Sequence, residues 1–179
     1  CDPCLAGNQQ LCRELQPNML VNDRLGIPAD FVTPEQYQPT SPIVRDGVPL
    51  TWEACQTLNG SWGYHRDNTD QKSPTMLVQM LVDSVSMGGN MLLNIGPDGR
   101  GAIAPRDAQT LGEIGEWMRL HRGAVVGAGH AAFTPPREGV YTRSGNRLYL
   151  SLFSWPMGFV HLPELAGKVS YARLLNDGS

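Results

Sequence analysis

The sequence predicts an α/β fold over residues 1–128 and the beginning of an antiparallel β-domain over residues 129–179. In the first part, strand-like runs alternate with helix-like runs, whereas in the second part short strand-like runs follow one another without helices. A complete (β/α)8 barrel needs about 250 residues. The first part is therefore predicted to be the C-terminal part of a (β/α)8-type barrel, and the second the start of a β-sandwich.

Three helices are predicted, over residues 5–16, 74–87 and 105–122. The second is the best defined, because Ser73 is a favoured N-cap and Pro74 suits the first helical position. Leu77 and Val85 lie on its apolar face, and Gly88-Gly89 ends it.

The strands predicted for the α/β part are residues 19–21, 51–57 and 91–95, separated by long loops over residues 25–50 and 58–72. The first loop contains five prolines and few apolar repeats.

In the second part, a hairpin is predicted over residues 140–153, with its turn at Ser144-Gly145-Asn146. Residues 158–162 and 168–175 are predicted as further short strands.

Bulk properties exclude several classes of function. An apolar fraction of 41% is enough for a core, and a net charge of −3 is unlike that of a nucleic-acid-binding surface. No apolar run approaches the ~20 residues that cross a bilayer. The first residues do not resemble a signal peptide. The absence of an initiating Met leads us to expect an interior piece of a longer chain.

Four cysteines, Cys1, Cys4, Cys12 and Cys55, are present, and the first two form a C-x-x-C pair. No second pair stands at metal-binding spacing, so ordinary thiols or a local disulfide are expected and no metal site is predicted.

Polar residues follow each predicted strand of the α/β part. Asn22-Asp23-Arg24 follows the first, the loop from Asn59 to Tyr64 the second, and Asn94 ends the third. In barrels the active residues lie at the carboxyl ends of strands, so this edge is the predicted site.

Two acids are candidates for proton transfer. Glu35 lies in the proline-rich loop and, from sequence alone, is interpreted as a surface acid. Glu53 lies inside a strand and is expected to be partly buried. Burial raises the pKa of a carboxyl group, which suits a general acid; the alternative for Glu53 is a salt bridge to a core arginine.

The remaining candidates each have two interpretations. Arg24 can clamp a sugar hydroxyl or a carboxylate with its fork of donors, or form a loop anchor with Asp23. Trp62 can stack on a sugar or pack at the rim. Among possible supporting residues, Tyr64 can donate a hydrogen bond, Asn94 can connect loops, and Cys55 is expected to be a packed thiol.

The order of several motifs resembles the retaining α-L-fucosidases. The motifs are Val21-Asn22-Asp23-Arg24, Trp52-Glu53-Ala54-Cys55, Ser61-Trp62-Gly63-Tyr64, Leu81-Val82-Asp83-Ser84-Val85-Ser86, and residues 88–97. This resemblance implies a (β/α) barrel followed by a β-sandwich, fucosylated oligosaccharides or glycoconjugates as substrates, and no cofactor. It is compatible with a periplasmic, extracellular or lysosomal enzyme.

The resemblance also implies residue roles. Arg24 matches the arginine that contacts the sugar, and Trp62 the aromatic residue that packs on fucose. Glu35 matches the acid/base of some members and is preferred, whereas Glu53 matches the acid proposed in others. The aspartate nucleophile belongs to an upstream Trp-x-Asp segment that this sequence does not contain.

Two other hypotheses compete with an exo-α-L-fucosidase fragment. One is a catalytically silent sugar-binding protein on the same scaffold, which would keep Arg24 and Trp62 but lack a nucleophile in its full-length form. The other is an unrelated α/β scaffold in which the aromatic residues belong to the core.

Overall fold

The computed structural model describes residues 2–177, and their side chains from residue 6 onward. The elements in chain order are α1 (Asp2–Leu15), β1 (Val44–Arg45), β2 (Val48–Pro49), β3 (Glu53–Thr57), α2 (Pro74–Ser86), β4 (Asn90–Asn94), α3 (Pro105–His121), β5 (Gly129–His130), β6 (Gly139–Ser144) and β7 (Arg147–Leu152). The three predicted helices are present, and the chain is a mixed α/β protein. Over residues 2–177, no helix is both long and apolar enough to cross a membrane.

The unit β3–α2–β4 organises the first part of the chain. β3 and β4 pair in parallel, with Cys55 opposite Leu92 and Thr57 opposite Asn94. Helix α2 connects them and begins as predicted, because the Ser73 side chain accepts a hydrogen bond from the backbone N–H of Met76.

The core is built around α2. Val82 and Val85 of this helix are buried with Val125, and Trp117 of α3 packs against the same cluster. Helix α2 also contacts β6. The helix that links the two parallel strands therefore also packs on the β-sheet of the second part.

Gly89 permits a close approach at the start of β4. Trp52 is almost fully buried, and its indole ring lies directly over Gly89. A Cβ atom at Gly89 would lie 2.1 Å from Cε2 of Trp52, which is closer than two non-bonded carbon atoms can approach. The glycine is needed here because it has no side chain.

The prediction of one long loop over residues 25–50 was wrong in two places. β1 and β2 form a short antiparallel hairpin, and residues 31–36 run parallel to β3. Val32 donates to the Thr51 carbonyl and accepts from the Glu53 N–H, and the Cys55 N–H donates to the Pro34 carbonyl. Residues 31–36 therefore act as a further parallel strand beside β3.

The predicted strand at residues 19–21 was also wrong. Leu20 is 66% exposed, and the hydrogen-bonding groups of Val21 are taken by a loop residue. The Val21 N–H donates to the Asp30 carboxylate, and the Val21 carbonyl accepts from the Asp30 N–H. The next residue, Asn22, forms a single parallel bridge with Phe31, and residues 19–21 themselves form no strand ladder.

The second part contains an antiparallel sheet in the order β5–β6–β7, and the predicted hairpin is confirmed as β6 and β7. The strands predicted at residues 158–162 and 168–175 were wrong. Neither range forms a strand, and the chain between them turns locally: the Leu165 N–H donates to the Leu162 carbonyl, and the Lys168 N–H donates to the Leu165 carbonyl.

We expect Gly89→Ala to lower the free energy of unfolding by about 2 kcal/mol or more, because the new methyl group would overlap the buried Trp52 ring. Urea denaturation measures the change. Gly115→Ala is the matched control: it lies within α3 with no atom within 4 Å of its added Cβ, and should be neutral or stabilising. Equal effects of the two substitutions would contradict the packing argument.

Candidate active site

A cleft of about 410 Å³ opens at the carboxyl ends of the parallel strands. It is lined by side chains from the loop after α1, from residues 31–36, from β3 and β4, and from the loop that follows β3: Asn22, Arg24, Thr33, Glu35, Glu53, Cys55, Trp62, Leu92 and Asn94. Its volume is within the range of small-molecule sites, about 300–1,000 Å³.

The alternation of side chains along a strand explains why these residues meet. Three neighbouring strands each contribute two side chains two positions apart: Thr33 and Glu35, Glu53 and Cys55, and Leu92 and Asn94. Residues at this spacing point to the same face of a sheet. Glu35 pairs with Cys55, which pairs with Leu92, so these three form one row across the cleft floor.

Glu35 and Arg24 form an ion pair on one side of the cleft. Their side chains are 46% and 44% exposed, respectively, so water reaches both groups. The sequence alone indicated a surface acid at Glu35. The structure places it at a cleft wall, in an ion pair with the guanidinium group of Arg24.

Asp23 and Asn22 hold Arg24 in position. The Asp23 carboxylate accepts hydrogen bonds from the N–H of Thr33 (3.1 Å) and from its hydroxyl (2.6 Å). The Asn22 side chain accepts from the Arg24 N–H at 3.2 Å. Asp23 does not line this cleft, and its bonds to Thr33 tie the Arg24 turn to residues 31–36, which carry Glu35.

Glu53 lies deeper in the cleft and is half-buried, as predicted. It precedes Cys55 by two positions, so its Cα lies about 6–7 Å further from the rim than the row containing Glu35. Among the described side chains, none forms an ion pair with Glu53. The core salt bridge considered for this residue is thus not found in that part of the chain.

Asn94 holds the loop that carries the indole. Its side-chain amide donates to the Trp62 carbonyl at 2.7 Å, and Trp62 is 45% exposed. A Cβ atom at Gly96 would lie 2.7 Å from the backbone of Gly63 and Tyr64, so the turn after β4 also packs against this loop. Tyr64 is half exposed and does not line the cleft.

A polar network lies beside residues 36–38, directly after Glu35. The Gln56 side chain donates to the Tyr37 carbonyl and to the Gln38 side chain, both at 3.2 Å. Gln36 has φ 57°, in the left-handed region, and its side chain donates to the Thr57 hydroxyl at 2.9 Å. These bonds offset the backbone cost of a sharp turn directly after Glu35.

Two ionisable groups beside the site have shifted pKa values. Burial lowers the pKa of Lys72, whose ammonium donates to the Thr57 carbonyl at 2.6 Å. Hydrogen bonds from the Val21 N–H and from Arg13 hold the pKa of Asp30 below its usual value. Both groups support loops at the ends of the strands.

Sequence reasoning assigned no role to Thr33 or Leu92, and both line the cleft. The signal for each was its spacing, since each precedes a candidate residue by two positions on the same strand. Cys12 is an exposed free thiol, whereas Cys1 and the Cys4 side chain lie outside the described residues. No group of three His, Cys, Asp or Glu side chains in the described part of the chain could hold a metal ion.

The chain is thus a mixed α/β protein with two carboxyl groups, a guanidinium group and an indole around one open cleft, which is typical of carbohydrate-binding sites.

Comparison with known proteins identifies the family of this chain. The family model for alpha-L-fucosidase matches residues 5–122. Tissue alpha-L-fucosidase of Bos taurus is 30% identical over 147 residues, which cover 79% of this chain and 31% of the bovine protein.

Solved structures give the same result. Alpha-L-fucosidase isoenzyme 1 from Paenibacillus thiaminolyticus is 44% identical, with a TM-score of 0.92 over 95% of this chain and 43% of that one. An alpha-L-fucosidase from Bacteroides thetaiotaomicron, trapped as a covalent intermediate, is 31% identical, with a TM-score of 0.85 over 98% of this chain and 45% of that one. The chain therefore belongs to the alpha-L-fucosidase family. It spans about a third of the length of its curated relatives.

We expect Arg24→Ala and Glu35→Ala each to change the free energy of unfolding by less than about 1 kcal/mol, because the pair is water-exposed and surface ion pairs contribute about 0–1 kcal/mol. Urea denaturation of the two variants and the double variant gives the coupling energy. A coupling well above 1 kcal/mol would mean that the pair has a structural role.

Proposed function

We propose that this chain is the C-terminal part of a retaining exo-α-L-fucosidase that removes terminal α-L-fucose from glycans. The observation that carries the proposal is the convergence of Glu35, Glu53, Arg24 and Trp62 on one cleft in a member of this family. Glycosidases use a pair of carboxyl groups, and this cleft contains two candidates for the acid/base member of such a pair.

The proposed architecture follows from the same family. Residues 1–128 would complete the catalytic (β/α) barrel, and residues 129–179 would begin the C-terminal β-sandwich. The parallel β3–α2–β4 unit and the antiparallel β5–β6–β7 sheet support this division. The proposed nucleophile, an aspartate, would lie on a strand upstream of Asn22.

Arg24 and Trp62 are proposed to bind the sugar. The guanidinium group offers several donors to neighbouring hydroxyl oxygens. The exposed indole of Trp62, held by Asn94, offers an apolar surface to the C–H face and methyl group of fucose. Cys55 and Leu92 would form the cleft floor beside Glu35.

Glu35 is the proposed acid/base. It is nearer the rim than Glu53, and the leaving group of an exo-acting enzyme departs outward. The ion pair with Arg24 and the turn at Gln36 hold its carboxyl group at the cleft wall. Glu53, half-buried beneath, is the alternative acid or a supporting residue.

The proposed reaction has two steps. The aspartate forms a bond to the anomeric carbon while the glycosidic C–O bond breaks, and the Glu35 proton passes to the departing oxygen. Water then attacks the same carbon, gives its proton to the Glu35 carboxylate and releases the aspartate. The related Bacteroides enzyme was trapped as a covalent intermediate with 2-fluoro-fucosyl fluoride in a glutamate-to-glutamine mutant, which supports this route.

The 179-residue chain alone should not hydrolyse an aryl α-L-fucoside, because the proposed nucleophile is outside it. A protein expressed from the coding sequence extended upstream of Cys1 should hydrolyse it with retention. Proton NMR of the first-formed fucose measures the anomeric configuration. Turnover by the chain alone, or β-fucose as the first product, would contradict the proposal.

Glu35→Ala in the extended protein should lower kcat/KM roughly 10²–10⁴-fold on a fucoside with a poor leaving group, and much less on one with a good leaving group, because only the former needs a proton. It should also flatten the basic limb of the pH profile. Glu53→Ala is the matched control and should affect both substrates equally. If the dependence on the leaving group follows Glu53 instead, Glu53 is the acid.

A further inference from the structure

A buried amide network connects the segment after Glu35 to helix α2. Gln56 of β3 is 1% exposed and follows Cys55, which faces the cleft. Because side chains alternate along a strand, the Gln56 side chain points to the opposite face of the sheet. The proposed chemistry of the cleft assigns no role to an amide group buried on that face.

Both glutamine side chains of the network use both of their N–H donors. The Gln56 amide nitrogen donates to the Tyr37 carbonyl and to the Gln38 side-chain oxygen, both at 3.2 Å. The Gln38 amide nitrogen donates to the Met80 carbonyl at 2.6 Å and to the Ser84 hydroxyl at 2.9 Å. Met80 and Ser84 belong to α2. Neither amide group can rotate without losing a bond, so the network fixes residues 37 and 38 against the helix.

The network holds the chain at the point where its pairing with β3 ends. The Cys55 N–H donates to the Pro34 carbonyl, and the Cys55 carbonyl accepts from the Gln36 N–H. Main-chain bonds therefore hold the residues on both sides of Glu35. Gln36 then adopts the left-handed conformation that turns the chain out of the strand direction. Beyond this turn, the amide network holds residues 37 and 38 in place of the strand pairing.

We propose that Gln56 and Gln38 are positioning residues for the acid/base Glu35, an inference that rests on the proposed function and deepens it. Neither glutamine lines the cleft, so both act through the backbone after the acid. Proton transfer needs the carboxyl oxygen within about 2.6–3.2 Å of the oxygen that it protonates. The Glu35 side chain is 46% exposed and its ion pair with Arg24 is open to water. Its reach into the cleft therefore depends on how firmly its backbone is held.

The experiment compares two aryl fucosides in the protein extended upstream of Cys1. The leaving group of 2,4-dinitrophenyl α-L-fucoside departs without a proton, whereas that of phenyl α-L-fucoside needs one. Methionine resembles glutamine in shape but has no N–H donor. Gln56→Met should therefore lower kcat/KM roughly tenfold for the phenyl fucoside and less than about twofold for the dinitrophenyl fucoside. A general loosening of the fold would slow both substrates equally.

A second variant keeps the test valid if Gln56→Met does not fold. The double variant Gln38→Met/Gln56→Met removes both partners of the shared bond, which costs less stability than leaving one buried amide unpaired. It should show the same selective loss on the phenyl fucoside. The basic limb of the pH profile should persist in both variants, because Glu35 itself is still present.

Thr142→Val is the matched control. Thr142 is also 1% exposed, and its hydroxyl donates to the Ala124 carbonyl at 2.7 Å, but it lies on β6 in the second part of the chain. This variant should lower stability in urea and leave the ratio of the two rates unchanged.

Equal losses on the two substrates, or no loss on the phenyl fucoside, would overturn the positioning role of the two glutamines while the fucosidase proposal stands. Two results would instead overturn the proposed role of Glu35 and this inference together. One is an extended wild type that hydrolyses neither fucoside, and the other is a Glu35→Ala variant that slows both fucosides equally.

Discussion

The parallel register of three adjacent strands is the constraint on which the candidate site depends. Backbone hydrogen bonds align residues 31–36 with β3, and β3 with β4, so that Glu35, Cys55 and Leu92 form one row. A slip of one residue in any strand would turn its side chains to the opposite face. Main-chain hydrogen bonds thus determine which residues face the cleft. The sequence has only to place polar or catalytic side chains at every second position of each strand.

Pro34 explains why the sequence did not reveal the strand that carries Glu35. Proline lacks an N–H, so one bond of the ladder to β3 is missing between the bonds of Val32 and Gln36. With four other prolines in residues 25–50, the local composition predicts a loop. Helix α2 could be predicted because its signals are local: a serine N-cap, a proline and a terminal glycine pair. Pairing of residues 31–36 with β3 is a tertiary contact that local signals do not encode.

The same distinction separates the other outcomes. The hairpin of β6 and β7 could be predicted because its turn and both its strands are contiguous in sequence. The segment at residues 19–21 is apolar, as strands often are. Its Val21 N–H and carbonyl, however, hydrogen-bond to Asp30, nine positions further along the chain. For the site, motif order identified Arg24 and Trp62, which the structure places in one cleft. Thr33 lines the same cleft because it lies on residues 31–36, the strand that the sequence did not predict.

The turn after Glu35 fixes the path of the chain beside the candidate acid. Gln36 adopts a left-handed conformation that is unfavourable for a residue with a side chain, and Thr57 and Gln56 hold it and the following residue in place. An extended chain would carry Tyr37 onward along the strand direction. The turn instead lets Tyr37 share one surface recess with Val44 and Arg45 of the β1–β2 hairpin. The backbone cost of this conformation, about 1–3 kcal/mol, is thus offset by hydrogen bonds to β3, which fix the direction of the chain after the candidate acid.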